Sequence, residues 1–89
     1  MQLGFKKQVS LIAGRNLTSL KKGQSGVLDR IELSEDDARR LMEMGFLPGH
    51  TVTRAGSAPG GDPRVFQVDG SEVALRQETA QHLILRQEL

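Results

Sequence analysis

A mainly β fold, a small barrel of four or five short strands with one inserted helix, is what this 89-residue sequence predicts. Three observations lead there. Short runs of alternating apolar and polar residues recur between turn signals. An Asp-Gly pair joins two of those runs. A single helix, fenced at both ends, interrupts them between the second and third strands. Strands this short must close on themselves or borrow a partner to hide their edges.

Taken in order, residues 1–16 alternate weakly and leave two readings open, an edge strand carrying Val9 and Leu11 or a tail. Leu17 and Leu20 then flank a polar pair, and residues 21–26 (Lys-Lys-Gly-Gln-Ser-Gly) are rich in turn formers. Val27 to Leu33 reads as a strand, with Val27, Ile31 and Leu33 on one face and Arg30 and Glu32 on the other. Asp29 falls on the apolar side of that alternation, which a bulge or a position at the barrel rim would explain.

The inserted helix runs from Glu35 to Met44. Ser34 ahead of Glu35, Asp36 and Asp37 supplies a side-chain acceptor for free N–H groups, and the carboxylates suit the positive end of the helix dipole. Ala38, Leu41, Met42 and Met44 mark its apolar face. Gly45 is the natural left-handed residue after the last turn, and Phe46 is placed to fold back on Leu41. Pro48 and Gly49 prevent the helix from resuming and supply a turn.

His50 to Arg54 has the β-branched content of a strand. Ala55 to Pro63 holds three glycines and two prolines and reads as an exposed loop. Arg64–Val68 and Glu72–Arg76 flank Asp69-Gly70-Ser71, a type I′ hairpin signal, and face Phe66, Val68, Val73 and Leu75 inward. Gln77 to Leu83 can make two helical turns with Ala80 and Leu83 buried. Leu83–Leu85 then closes the chain as a short strand.

Composition narrows the function. One small domain fits in this length and no second one. A chain of this size buries only about 60–65% of its unfolded surface, so its margin of stability is thin. There is no cysteine, hence neither disulfide nor thiolate metal site. No apolar run reaches the roughly 18–20 residues of a membrane span, and residues 8–14 are too short and polar for a signal peptide, which reads as a cytoplasmic protein. Net charge is only +1, against a strongly basic nucleic-acid binder. The charge is unevenly placed: Lys6, Lys7, Arg15, Lys21 and Lys22 all precede the first acidic residue, Asp29. They read as a solvated tail and turn, or as a basic patch facing an acidic partner or a membrane leaflet.

No catalytic set emerges. The two histidines stand apart, with no His-x-x-x-His spacing. His50 and Asp62 are the weak metal candidates, joined across a strand–loop turn; two exposed side chains are the expected reading, with no metal. The Glu35–Asp37 run is a helix start, because consecutive helical residues point around the axis and not at one ion. Without a Gly-x-x-x-x-Gly-Lys-Ser/Thr motif the chain cannot hold GTP in the P-loop manner. A small barrel that binds single strands, or a proline-rich peptide, needs exposed aromatics. Trp and Tyr are absent, and Phe46 and Phe66 are required for the core. No cofactor, small-molecule substrate or nucleic acid is therefore expected. What remains is protein contact. The candidate surface is the helix and its turn (Arg40, Leu41, Met44 and Leu47), followed by the loop Ala58–Pro63 with Asp62 as its polar reader.

Four segments carry a resemblance. Residues 17–27 (Leu-Thr-Ser-Leu-Lys-Lys-Gly-Gln-Ser-Gly-Val), 40–49 (Arg-Leu-Met-Glu-Met-Gly-Phe-Leu-Pro-Gly), 58–63 (Ala-Pro-Gly-Gly-Asp-Pro) and 73–76 with Ala80 beyond resemble the FeoA family. These are small cytoplasmic companions of the bacterial ferrous iron transporter. The segments occur in family order over residues 17–85. The resemblance implies an SH3-like five-stranded β-barrel over 17–89, with residues 1–16 as an extension to which nothing transfers. It also implies a non-enzymatic role, binding the cytoplasmic GTPase-containing part of that transporter. Similar domains form the tail of metal-dependent repressors, so a stand-alone relative of those tails is the first alternative. A small nucleic-acid-binding barrel is the second.

Overall fold

The computed structural model describes residues 15–86. Strands β1 (Ser25–Ile31), β2 (Thr51–Ser57), β3 (Arg64–Val68), β4 (Ser71–Leu75) and β5 (Leu83–Leu85) form one antiparallel sheet in the order β4-β3-β2-β1-β5. Helix α1 (Glu35–Glu43) is inserted between β1 and β2, and the single turn α2 (Gln77–Ala80) precedes β5. The stretch around Val9 and Leu11, read as an edge strand or a tail, lies outside the described residues, and the helix follows the first described strand.

β1 bends the sheet. Its first half, Ser25–Val27, pairs with β2, and its second half, from Leu28 to Ile31, pairs with β5. The register shifts between Leu28 and Arg30, so the bulge invoked for Asp29 is present. An extra residue also inverts which parity faces inward. Gly26 and Leu28 are buried before the bulge, and Ile31 and Leu33 pack on the core after it. The expectation of Val27 on the inner face with Ile31 is therefore corrected: Leu28 is the core residue, and Val27 is half-buried.

Both ends of α1 follow the chemistry of its sequence. The Ser34 hydroxyl accepts from the Asp37 N–H at 3.3 Å. At the other end Phe46 N donates to Leu41 O (3.1 Å) and Gly45 N to Met42 O (3.0 Å), the paired bonds of a Schellman ending, with Gly45 at φ +110°. Phe46 is thereby driven into the core with Leu41. His50 N then donates to Leu47 O across Pro48 and Gly49 (φ +92°), a type II turn. Met42 and Met44 do not join the apolar face as expected. They are the exposed large hydrophobics, 37% and 41% accessible.

Further boundaries differ from the sequence reading. β2 continues through Ala55, Gly56 and Ser57, read as loop, because β3 pairs with them across a second register shift. Their weak strand propensity is overridden by the ladder. Ser71 belongs to β4, leaving a two-residue turn with Asp69 at φ +53° and Gly70 at φ +80°, as type I′ requires. α2 ends at Ala80, and Leu83 is taken by β5. Leu17–Ser19 forms a 3-10 turn capped by Asn16, which fixes Leu17 and Leu20 in the core. Arg54 Nη1 and Arg64 Nη1 reach the Leu20 and Thr18 carbonyls at 3.0 and 3.2 Å, tying that turn to the sheet. Lys21 and Lys22 are exposed in the following turn; Lys6 and Lys7 lie outside the described residues.

Candidate functional site

A groove of about 290 Å³ lies between α1 and the end of β4. Leu33, Leu41, Met44 and Leu75 give it apolar walls. Asp37 and Arg40 stand on the helix side and Thr79 on the α2 side. The register of α1 explains the arrangement: residues 37, 40, 41 and 44 are three and four apart and share one helical face. The N-terminal cap and the Schellman ending fix that face relative to the sheet. Gly45 sets the distance, since a Cβ there would come within 3.3 Å of the Asp69 Cβ and 3.5 Å of a Val68 methyl at the hairpin tip.

Three of the candidate contact residues, Arg40, Leu41 and Met44, therefore line one groove. They are not equivalent. Leu41 is 5% exposed and belongs to the core, whereas Met44 is open and Arg40 is loosely held, its Nη1 4.0 Å from Asp37 Oδ1. Such a solvated pair contributes little to stability, so the Arg40 guanidinium is free to meet another acceptor. Leu47 sits half-buried on the turn beyond and does not line the groove.

Asp62 lies elsewhere. Its Oδ1 accepts from the Gln77 N–H at 2.9 Å, at the start of α2, and its Oδ2 is 3.9 Å from Arg76 Nη1. The loop around it closes on itself: Ala58 N donates to Pro63 O and Gly61 N to Ala58 O, both at 2.9 Å. No hydrogen bond or ion pair joins Asp62 to the exposed His50. Among the described residues, no three His, Asp or Glu side chains converge as a metal site would require. The Arg30 guanidinium, hydrogen-bonded to Glu32 at 2.8 Å and Asp29 at 2.7 Å, is held above its ordinary pKa by the Glu32 bond first.

The sequence missed Leu33, Leu75 and Thr79 as groove residues, and read Asp37 only as part of the helix start. Leu33 and Leu75 carry only the apolar signal common to core positions. Thr79 carries none, because its place depends on where α2 packs.

Residues 15–87 match the FeoA domain family. The chain belongs to that family. This FeoA domain is 36% identical over 64 residues to the Fe(2+) transport protein A/Fe(2+) transporter FeoB fusion protein of Porphyromonas gingivalis (strain ATCC BAA-308 / W83). The match takes in 72% of this chain and spans 8% of that protein's length. Among solved structures it resembles FeoA of Chlorobium tepidum, with a TM-score of 0.76, 25% identity, and coverage of 82% of this chain and 70% of that one. It also resembles zinc-complexed Stenotrophomonas maltophilia FeoA, described as a procaryotic SH3 domain protein and a candidate ferrous iron transport activating factor. There the TM-score is 0.70, the identity 33%, and coverage 81% of this chain and 89% of that one. The FeoA domain is thus mainly β and SH3-like, as its sequence implied. No helix among the described residues is long and apolar enough to cross a membrane.

Proposed function

We propose that this FeoA domain is a non-enzymatic, cytoplasmic accessory module of bacterial ferrous iron uptake. Its target is the GTPase-containing cytoplasmic part of the membrane iron transporter. The observation that carries the reading is the fusion relative, in which a stretch like this one shares a polypeptide with a FeoB transporter. Covalent linkage raises the effective concentration of two modules to the millimolar range, a gain useful only where they meet. The α1 groove supports the contact face, through exposed Met44 beside a loosely paired Arg40, with exposed Met42 on the same helix outside the groove. Methionine side chains adapt to a partner surface with little strain.

Calorimetric titration of the domain into the cytoplasmic part of its own transporter, with GDP and then a GTP analogue, tests this. Met44→Glu and Arg40→Glu alter exposed side chains, so the fold survives while the face changes. Saturable binding that weakens at least tenfold in either variant is expected. Absence of binding in both nucleotide states would remove this partner.

A further inference from the structure

Among the described residues the hairpin geometry leaves one sheet edge open, and the groove lies alongside it. In a two-residue hairpin the residues flanking the turn exchange both ladder bonds. Val68 pairs with Ser71, so Ser71, Val73 and Leu75 turn their N–H and C=O groups toward β3. Glu72 and Ala74 consequently aim theirs outward, where no other described residue meets them. The opposite edge is different: β5 is covered by Asn16, bridged to Ile84, and by the Arg15 carbonyl, which accepts from Leu85 N at 3.1 Å.

Side chains tell the same story. Val73 faces inward, packs on the core, and is still only half-buried, because no other described strand flanks β4 on its outer side. Leu75 forms part of the groove wall. A strand laid beside β4 would place its inward side chains in the groove under α1, against Leu33, Leu41 and Met44. Charge narrows the occupant. Glu72 is exposed and has no ion pair, and its cross-strand neighbour on β3 is the neutral Gln67. Opposite charges across a ladder attract, so the residue facing Glu72 should be Lys or Arg.

We propose that the outer edge of β4, with the α1 groove, takes up one extended segment of the partner protein by β-strand addition. The segment alternates apolar residues with polar ones and sets a Lys or Arg opposite Glu72. Main-chain bonds supply affinity in such an addition, and pockets for alternate side chains supply choice. The proposal rests on the transporter reading for the partner's identity, but the open edge itself does not.

Amide exchange by NMR tests it. On adding the transporter's cytoplasmic part, the Glu72 and Ala74 amides should slow by at least tenfold, while binding weakens at least tenfold in Ala74→Pro. Proline at position 74 deletes an outward donor and leaves the β3 ladder intact. Should that variant unfold, Glu72→Lys, on an exposed side chain, is expected to weaken binding instead. Binding with unchanged exchange at both amides, and undiminished in the variants, overturns strand addition and leaves the transporter reading standing. No binding by the wild type defeats that reading. The edge is then judged with a capped seven-residue peptide alternating valine and threonine around a central lysine. Slowed exchange at both amides supports the open edge; unchanged exchange at millimolar peptide overturns it. Concentration-dependent protection in the domain alone would show a second copy on this edge, and would also overturn the proposal.

Discussion

Replacing Gly45 by alanine probes the joint on which the groove depends. Gly45 sits at φ +110°, outside even the left-handed well near +57° that some non-glycine residues visit. Forcing an L-residue there costs about 1–3 kcal/mol. The new Cβ also stands 3.3 Å from the Asp69 Cβ, closer than ordinary contact. The sum is about 2–3 kcal/mol. In a domain of this size each kcal/mol lowers Tm by about 4–8 °C, so a fall of roughly 8–24 °C is expected. The chain has no Trp or Tyr, so far-UV circular dichroism is the suitable probe of thermal and urea unfolding. Gly60→Ala is the control, with a similar φ of +91° and nothing within 4 Å of the added atom. Gly45→Ala should cost more than Gly60→Ala. Gly45→Ala within 0.5 kcal/mol of wild type would refute the account of this joint. Equal costs at the two glycines would assign the effect to backbone strain alone.

Ser34→Ala removes the cap of α1 and should destabilise by about 1 kcal/mol in urea unfolding, because the Asp37 N–H loses its acceptor. Asp62→Ala should cost about 1 kcal/mol through the Gln77 N–H, while Asp62→Asn, which keeps an acceptor, should cost clearly less in the same assay. Met44→Ser should leave stability within about 0.5 kcal/mol, since the side chain is 41% exposed, and should still weaken partner binding in the titration. Stability should not respond to Arg30 between pH 5 and 9 in circular dichroism melts. A raised pKa contributes fully below the group's ordinary value and is lost only as pH climbs through the folded one, far above that window.

How far the sequence could be read depends on whether the deciding contact was local. Ser34, Gly45, Phe46 and Asp69-Gly70 act through bonds to residues within a few positions, and each takes the conformation its chemistry dictates. Asp29 was legible as an irregularity, yet the inversion of facing that it causes appears only once β5 is paired to Leu28 and Arg30. β2 runs to Ser57 because β3 holds it there, a tertiary effect that propensity cannot show. Met42 and Met44 read as core from their spacing, and are exposed because α1 lies at one side of the sheet with a groove beneath it. That groove was half legible: Arg40, Leu41 and Met44 share a helical face, whereas Leu75 and Thr79 arrive from the far end of the chain. Asp62 drew notice as a polar side chain in a glycine-rich loop, and the bond to Gln77 N that engages it is fifteen residues away.

The central claim is that the α1 groove and the neighbouring β4 edge form the face that meets the transporter. The most direct measurement is an amide shift map of the isotope-labelled domain, titrated with the transporter's cytoplasmic part. The account predicts changes concentrated at residues 40–47 and 72–75. Changes confined to residues 15–25 and 57–61, around the 3-10 turn and the tip of the Ala58–Pro63 loop, would contradict it.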